Sequence, residues 1–324
     1  MSGDARWLAA AAALAARARP LSRPNPGVGA ILVKEGRVIA RGWTQPGGRP
    51  HAEAAALYAA GAEARGATLY VTLEPCAHQS VRGPACADLV CASDVARVVI
   101  GCMDPDPRTA GSGMARIREA GIKVEHVPSS SCEESLSGYL VQKHLGRPEV
   151  TLKLALSLDG CIAMADGESQ WITGAEARAH THAMRAKADA ILVGGGTLRA
   201  DNPRLDVRLP GLGERSPERW ALTHGEAPEG WRALSSPAAV SGMKGVQYLF
   251  VEGGAGAATT FLAAGLVDRL LIYRAPILIG GRPALGDFGL ASLAGAHGQW
   301  RLRERRQLGN DTLEVYESTS CSPE

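Results

Sequence analysis

A helical pattern that begins near residue 132 stops at Gly146, Arg147 and Pro148, and a fresh apolar strand, Thr151 to Leu156, starts directly behind it. The break divides a chain of 324 residues into two lengths that each suffice for an ordinary domain. The boundary is placed there, giving domains 1–146 and 147–324. On the N-terminal side the pattern predicts a helix over 4–18, strands at 28–33 and 37–41, a helix over 51–61 and a strand at 68–73. It continues with a helix over 84–92, a strand from Val95 to Ile100, a helix over 112–120, a short strand around Val124 and a helix over 132–145. The second half repeats the grammar. A helix over 175–187 is followed by a strand Ala190 to Val193 that runs into Gly194, Gly195 and Gly196. A strand Tyr248 to Val251 runs into Gly253 and Gly254, and another spans Arg269 to Tyr273. Such alternation predicts layered α/β architecture in both halves. Between Leu209 and Val246 the chain is rich in Pro, Gly and Ser and weakly periodic, and no element is predicted there.

Charge narrows the choice of partner. Lys and Arg number 35 against 33 Asp and Glu, so no large single-sign field marks a nucleic-acid or membrane-surface protein. Small-molecule chemistry fits this balance, with no nucleic acid and no membrane expected. The seven cysteines are odd in number and irregularly spaced, which argues against a secreted disulfide framework and for a reducing compartment, the cytoplasm. The apolar stretch Leu8 to Ala16 follows Asp4 with no basic leader in front, and is expected to form a helix rather than a signal peptide.

The motif that speaks most directly of chemistry is His51-Ala52-Glu53, followed by Pro75-Cys76 and then Cys86. Hydrolytic zinc takes three protein ligands and keeps its fourth position for a water, whose pKa falls toward neutrality. His51, Cys76 and Cys86 supply three such ligands. Glu53, two residues after His51 at the start of a helix, can stay near the metal without ligating it and carry protons between water and substrate. The H-x-E and P-C-x-x-C pattern belongs to zinc nucleobase deaminases, although here Ala77 to Ala85 separate the cysteines. Two plainer readings stand beside this one. The cysteines can be buried core residues, or the zinc can be structural, with His78 as its fourth ligand.

The longer loop resembles that of the bifunctional deaminase/reductases of riboflavin biosynthesis, and the resemblance extends over nearly the whole chain. In the first half it rests on Asn25-Pro26-Gly27-Val28-Gly29, Pro50-His51-Ala52-Glu53, Thr72 to His78, and Asp104-Pro105-Asp106-Pro107 before Gly111-Ser112-Gly113. In the second it rests on Leu152-Lys153-Leu154-Ala155, Ser157 to Gly160, Gly167 to Thr173, Arg185, Gly194 to Thr197, Asp201-Asn202-Pro203 with Leu205 and Arg208, and Val251 to Gly254. The resemblance implies a cytidine-deaminase-like α/β/α layered domain, followed by a dihydrofolate-reductase-like α/β domain. It also implies Zn2+ and NADPH as cofactors, a pyrimidine ribosyl phosphate as substrate, and a homo-oligomer.

Residue by residue, it brings Asn25 and His78 to the pyrimidine, and their amide and imidazole suit a heterocycle edge. It brings Ala155, Trp171, Thr197, Asp201 and the run Gly254, Ala255, Gly256, Ala257 and on to Thr260 to the dinucleotide. Glycines at strand ends let backbone approach a pyrophosphate, and a following helix N-terminus favours its charge. Neither cluster matches G-x-G-x-x-G with a distal acid, so a Rossmann fold is not expected. Arg185 and Arg208 are the candidate phosphate clamp, since guanidinium binds phosphate in a bidentate way. Ser169, Leu205 and Glu252 complete the substrate pocket, and Lys153 and Asp201 are candidates for proton delivery.

The chain departs from the family locally. It has Arg82-Gly83-Pro84-Ala85-Cys86 where the family loop ends Thr-Pro-Pro-Cys, and Thr44 where a histidine is common. The stretch between Arg208 and Val246 is shorter and lacks an Asp-Ser strand end that helps hold the cofactor, with Thr223 or His224 as stand-ins. An alternative reading therefore keeps the deaminase and makes the second domain a non-catalytic scaffold. Two further rivals are a deaminase of free bases or nucleic acid, which would favour a basic groove, and a zinc-stabilised binding protein.

Overall fold

The computed structural model describes residues 3–78 and 81–319, so Cys321 lies outside the described residues. The chain divides into two compact units, Met1–Gly146 and Arg147–Glu324. Among the described residues no helix is long and apolar enough to cross a membrane.

The first unit runs α1 (Gly3–Ala15), β1 (Gly29–Lys34), β2 (Arg37–Trp43), α2 (Ala52–Ala60), β3 (Thr68–Val71), α3 (Cys86–Cys91), β4 (Arg97–Ile100), α4 (Ser112–Glu119), β5 (Lys123–His126), α5 (Ser130–Ser135) and α6 (Ser137–Leu145). Its sheet has the order β2-β1-β3-β4-β5, with β1 antiparallel to both neighbours and β3, β4 and β5 parallel. Gly29 pairs with Trp43 and Ala30 with Gly42, so Gly29 and Gly42 face opposite sides of the pleat. A Cβ on Gly29 would run into the Ala11 carbonyl of α1, and one on Gly42 into the Ala52 carbonyl of α2. Helices therefore cover both faces at close approach, an α/β/α sandwich. The helix expected over 132–145 is two helices, because the fully buried Leu136 leaves helical dihedrals at φ −105° and ψ 4°.

The approach at Gly42 seats the helix whose start carries His51 and Glu53. Gly42→Ala is expected to push α2 off the sheet at a cost of about 1–3 kcal/mol. The check is thermal unfolding alongside zinc content, and both should fall.

The second unit runs β6 (Glu149–Leu156), β7 (Cys161–Ala163), α7 (Ala175–Arg185), β8 (Ala190–Gly194), α8 (Gly195–Asp201), β9 (Glu218–Leu222), β10 (Arg232–Leu234), β11 (Tyr248–Val251), α9 (Ala255–Ala263), β12 (Arg269–Arg274), β13 (Arg282–Pro283), β14 (Trp300–Leu308) and β15 (Asp311–Ser318). Eight strands form one sheet in the order β10-β9-β8-β11-β6-β12-β15-β14, parallel except where β15 joins β12 and β14. The stretch expected to be irregular thus supplies two parallel strands, β9 and β10. Residues of alternate parity separate into two cores: Leu152, Leu154, Leu192, Leu249 and Val251 lie on one face, and Ile191, Val193, Phe250, Leu271 and Tyr273 on the other. At the start of β6, Arg147 donates to both Asp268 oxygens at 2.7 and 2.8 Å, and the same carboxylate accepts the Val150 N–H at 2.7 Å.

Candidate active sites

In the first unit, His51 is the N-cap residue of α2 and Cys86 opens α3. Cys76 comes from the loop after β3, and its thiol sulfur accepts the Cys86 N–H at 3.3 Å. This brings His51 Nδ1 to 3.6 Å from Cys76 Sγ and 3.2 Å from Cys86 Sγ, with all three ligand atoms within 4.8 Å of one another. Around tetrahedral zinc, Zn–N and Zn–S bonds of roughly 2.0 and 2.3 Å place N and S roughly 3.5 Å apart, so the donor set fits the ion. His78 is not part of the cluster, and three ligands suit a catalytic rather than a structural site.

The electrostatics agree with that chemistry. The Cys86 thiol hydrogen bond, the His51 ring and the Cys86 N–H outweigh burial and hold Cys76 as a thiolate, well below the ordinary thiol range. Cys86, as donor to Cys76 and buried, is pushed up. Glu53, 3 % exposed, sits in the first turn of α2. Burial drives its carboxyl up to about 7, with His51 opposing and the Cys76 thiolate adding. A carboxyl titrating near neutrality can both take and give a proton.

His51, Glu53 and Cys76 open onto a cavity of about 380 Å³, whose wall includes Asn25 and His78. Asn25 Nδ2 stands 3.2 Å from His51 Nε2 and donates to the Gly48 carbonyl at 3.3 Å. His78 Nδ1 is buried with no hydrogen-bond partner, a condition that a bound ligand would relieve. Thr44 also lines the cavity, but its hydroxyl accepts the Val28 N–H at 3.0 Å and is a structural bond. Sequence reasoning missed the charged part of the wall. Asp106, 5 % exposed, accepts from Arg108 at 2.9 and 2.7 Å and from Lys143 at 2.8 Å. The Arg108 and Lys143 cations hold its carboxyl far below the usual range against the opposing effect of burial. Its signal in the sequence is the Asp104-Pro105-Asp106-Pro107 turn.

In the second unit, a cavity of about 1090 Å³ lies along the C-terminal parts of β6, β8 and β11. Its wall collects most of the residues singled out from the sequence: Ala155, Trp171, Thr197, Asp201, Gly254 and Ala255 on the cofactor side. Lys153, Ser169, Arg185, Leu205, Arg208 and Glu252 line it as well. Gly256 and Ala257 are not on this wall. Gly256 is exposed, and Ala257 is buried beneath Gly253, whose missing side chain makes room for it. Leu205 holds φ 54°, a left-handed conformation that leucine seldom adopts, with its side chain buried.

The two expected clamp arginines are not equivalent. Arg185 donates Nε and Nη2 to the Glu252 carboxylate at 2.6 and 3.0 Å and Nη1 to the Asp206 carbonyl at 3.1 Å. Arg208 is the more exposed, with Nε 3.4 Å from Asp206 Oδ1. Lys153 Nζ lies 3.8 Å from Glu252 Oε2. Burial alone would raise the Glu252 carboxyl, but Lys153 and Arg185 outweigh it and the group is held below the usual range. Burial lowers the Lys153 ammonium, with Glu252 opposing and Arg185 adding. His182, three residues before Arg185 on the same face of α7, lines the cavity too. Its imidazole is held toward the neutral form by burial and by Arg185 and Arg208. That i, i+3 spacing is visible in the sequence.

Comparison with known proteins bears on both units. Residues 1–102 match the model of the cytidine and deoxycytidylate deaminase zinc-binding region, and residues 148–232 and 237–313 match that of the RibD C-terminal domain. The riboflavin biosynthesis protein RibD of Escherichia coli (strain K12) is 38% identical over 359 residues, covering 95% of this chain and 97% of that protein. RibD of Aquifex aeolicus is 36% identical, covering 96% and 97%. Among solved structures, Acinetobacter baumannii RibD, form 2, is similar with a TM-score of 0.87 and 33% identity, over 98% of this chain and 99% of that one. A Thermotoga maritima diaminohydroxyphosphoribosylaminopyrimidine deaminase/5-amino-6-(5-phosphoribosylamino)uracil reductase gives 0.86 and 29%, over 98% and 99%. Matched at this identity along nearly its whole length, the chain belongs to the RibD family, the bifunctional enzymes of riboflavin biosynthesis that join a zinc deaminase, a hydrolase, to a reductase.

Proposed function

We propose that domain 1–146 hydrolyses the 2-amino group of 2,5-diamino-6-(5-phosphoribosylamino)pyrimidin-4(3H)-one, and that domain 147–324 reduces the ribosyl chain of the resulting 5-amino-6-(5-phosphoribosylamino)uracil to ribityl. The observation that carries the first half is the buried Glu53 carboxyl beside three converging metal donors, of which His51 and Cys76 line the same cavity as Glu53. His51, Cys76 and Cys86 would hold zinc, which would supply an acidified water as nucleophile. As the water oxygen bonds the amino-bearing ring carbon, Glu53 would move its protons, one to the ring nitrogen and one to the amine, so that the C–N bond breaks and ammonia leaves. Asn25 and the unpartnered His78 hold the heterocycle.

Ala155, Trp171, Thr197, Asp201 and the run from Gly254 would hold NADPH, which would supply the hydride for the sugar carbon. Lys153, its pKa lowered by burial, is placed to give the matching proton to the sugar oxygen; Asp201 is the other candidate on the same wall. Arg208 takes the phosphate, and Glu252, held by Arg185, faces the ribityl hydroxyls. The non-catalytic reading of the second domain is not favoured, since the family match spans it. The proposal extends to a homo-oligomer, to a small-molecule substrate rather than nucleic acid, and to the cytoplasm; the balanced charge and the free cysteines of the described residues support the last two.

Zinc-loaded protein given the diaminopyrimidine ribosyl phosphate and NADPH should release ammonia and consume NADPH together. Ammonia without NADPH consumption would return the scaffold reading, and neither signal would exclude the substrate. Stripping zinc with a chelator should stop ammonia release, while NADPH consumption persists when the deaminated uracil is supplied directly.

A further inference from the structure

Behind α8 the chain crosses the wall of the larger cavity with Pro203, Arg204, Leu205 and Arg208, and it turns at Leu205, whose φ of 54° is left-handed and whose side chain is buried. A leucine stays in that conformation only where its surroundings over-determine it. The fixing bonds come from α7. Arg185 Nη1 donates to the Asp206 carbonyl at 3.1 Å, and His182 Nδ1 stands 3.1 Å from the same carbonyl and 3.3 Å from the Arg208 backbone nitrogen. A carbonyl only accepts and an amide N–H only donates, so one ring nitrogen of a neutral imidazole serves one of them at a time. The Asp206 carbonyl already has Arg185 as its donor, whereas the Arg208 N–H has no other acceptor among the described residues. Nδ1 is thereby assigned as acceptor of the Arg208 N–H, with the ring proton on Nε2. Burial and the Arg185 and Arg208 cations hold the imidazole toward the neutral form that this bond needs. From the other side the Ser216 hydroxyl accepts the Val207 N–H at 3.0 Å.

We propose that His182 is a positioning residue of the reductase: its Nδ1 fixes the backbone at Arg208 and so presents that guanidinium to the substrate phosphate, which makes His182 a determinant of substrate affinity and not of the hydride step. The inference rests on the reading of Arg208 as the phosphate contact. Arg208 is half exposed on a flexible stem, with Nε 3.4 Å from Asp206 Oδ1. A backbone fixed before binding removes part of the ordering cost that such a side chain meets when the ligand arrives. Without the imidazole, the segment is free to relax from the left-handed turn at Leu205, and that cost returns with each substrate bound.

The test follows NADPH consumption by full-length, zinc-loaded protein given the deaminated uracil ribosyl phosphate directly. His182→Gln places its polar atoms near the Nε2 position and none at Nδ1; it should raise KM for this substrate by about tenfold and leave kcat and the KM for NADPH within about twofold. His182→Asn, whose Oδ1 comes where Nδ1 was, should bring KM back to within about threefold of the wild type. In an Arg208→Leu background, His182→Gln should raise KM no further, because the two residues act as one unit. A KM restored by glutamine and not by asparagine would put Nε2 on the ligand and overturn the positioning role. A fall in kcat together with a raised KM for NADPH would reduce His182 to support of the fold, and overturns it as well. If Arg208→Leu raises the substrate KM while His182→Gln does not, the proposal alone fails. If Arg208→Leu leaves that KM unchanged, the phosphate reading of Arg208 falls and the proposal with it.

Discussion

Replacing Glu53 by glutamine is expected to cut ammonia release by about 10²- to 10⁴-fold while the protein keeps its zinc. The substitution preserves the shape of a side chain that is 3 % exposed, and it leaves His51, Cys76 and Cys86 untouched. What it removes is the exchangeable proton of a carboxyl that burial brings to about 7. The amide has no such titration and cannot relay a proton from water to the ring. Metal content and turnover measured on the same sample separate the possibilities. Lost activity with zinc retained assigns the proton relay to Glu53. Activity retained with zinc in place would mean that another group moves the proton, and a zinc-stabilised binding protein would be indifferent to the change.

The second large effect is expected at Glu252. Its carboxylate accepts from Arg185 and stands beside Lys153 in the wall of the cavity, so Glu252→Gln removes the carboxylate that pairs with both cations. Breaking a buried pair from one side costs about 3–5 kcal/mol, and the second unit should melt earlier by a corresponding margin. NADPH consumption should be lost while ammonia release survives. The pH dependence has a definite sign. Because the folded-state pKa of Glu252 is depressed, its stabilising contribution is fully present above the unfolded value of about 4.3 and is lost as pH falls through the folded value. Differential scanning calorimetry should therefore show the wild type losing part of its advantage over Glu252→Gln in acid. An unchanged melting temperature at neutral pH would show that the ion pair contributes nothing net.

How much of this was legible before the fold was known depends on what each segment buries. Strands such as Val98–Ile100 and Ala190–Val193 read clearly because they are short continuous apolar runs between helices. The zinc ligands read clearly because their chemistry is carried by residue type and order, not by periodicity. The C-terminal hairpin was invisible. β14 is exposed along almost its whole length and carries Arg301, Arg303, Arg305 and Arg306 on both faces, so it has no apolar alternation to detect. β9 and β10 were hidden in a turn-rich stretch, and β10 is only 3 residues long. The pairing of Arg185 with Glu252 lay beyond the sequence for a different reason. It joins α7 to the end of β11, and only the fold brings those elements together, so a residue expected to hold phosphate was found already holding a carboxylate.

The strand order of the second unit bears on how the chain folds as it is made. In the first unit each strand finds a neighbour close in sequence, and the sheet is complete once β5 has emerged. β6 opens the second unit, yet its two sheet partners are β11 and β12, which begin at Tyr248 and Arg269. Its apolar residues must wait through the synthesis of everything between, and the loop that closes to seat it is long. The deaminase unit is thus able to fold on the ribosome while the central strand of the reductase is still unpaired. Late truncations or slow translation beyond β6 should then yield a folded first unit trailing an aggregation-prone strand.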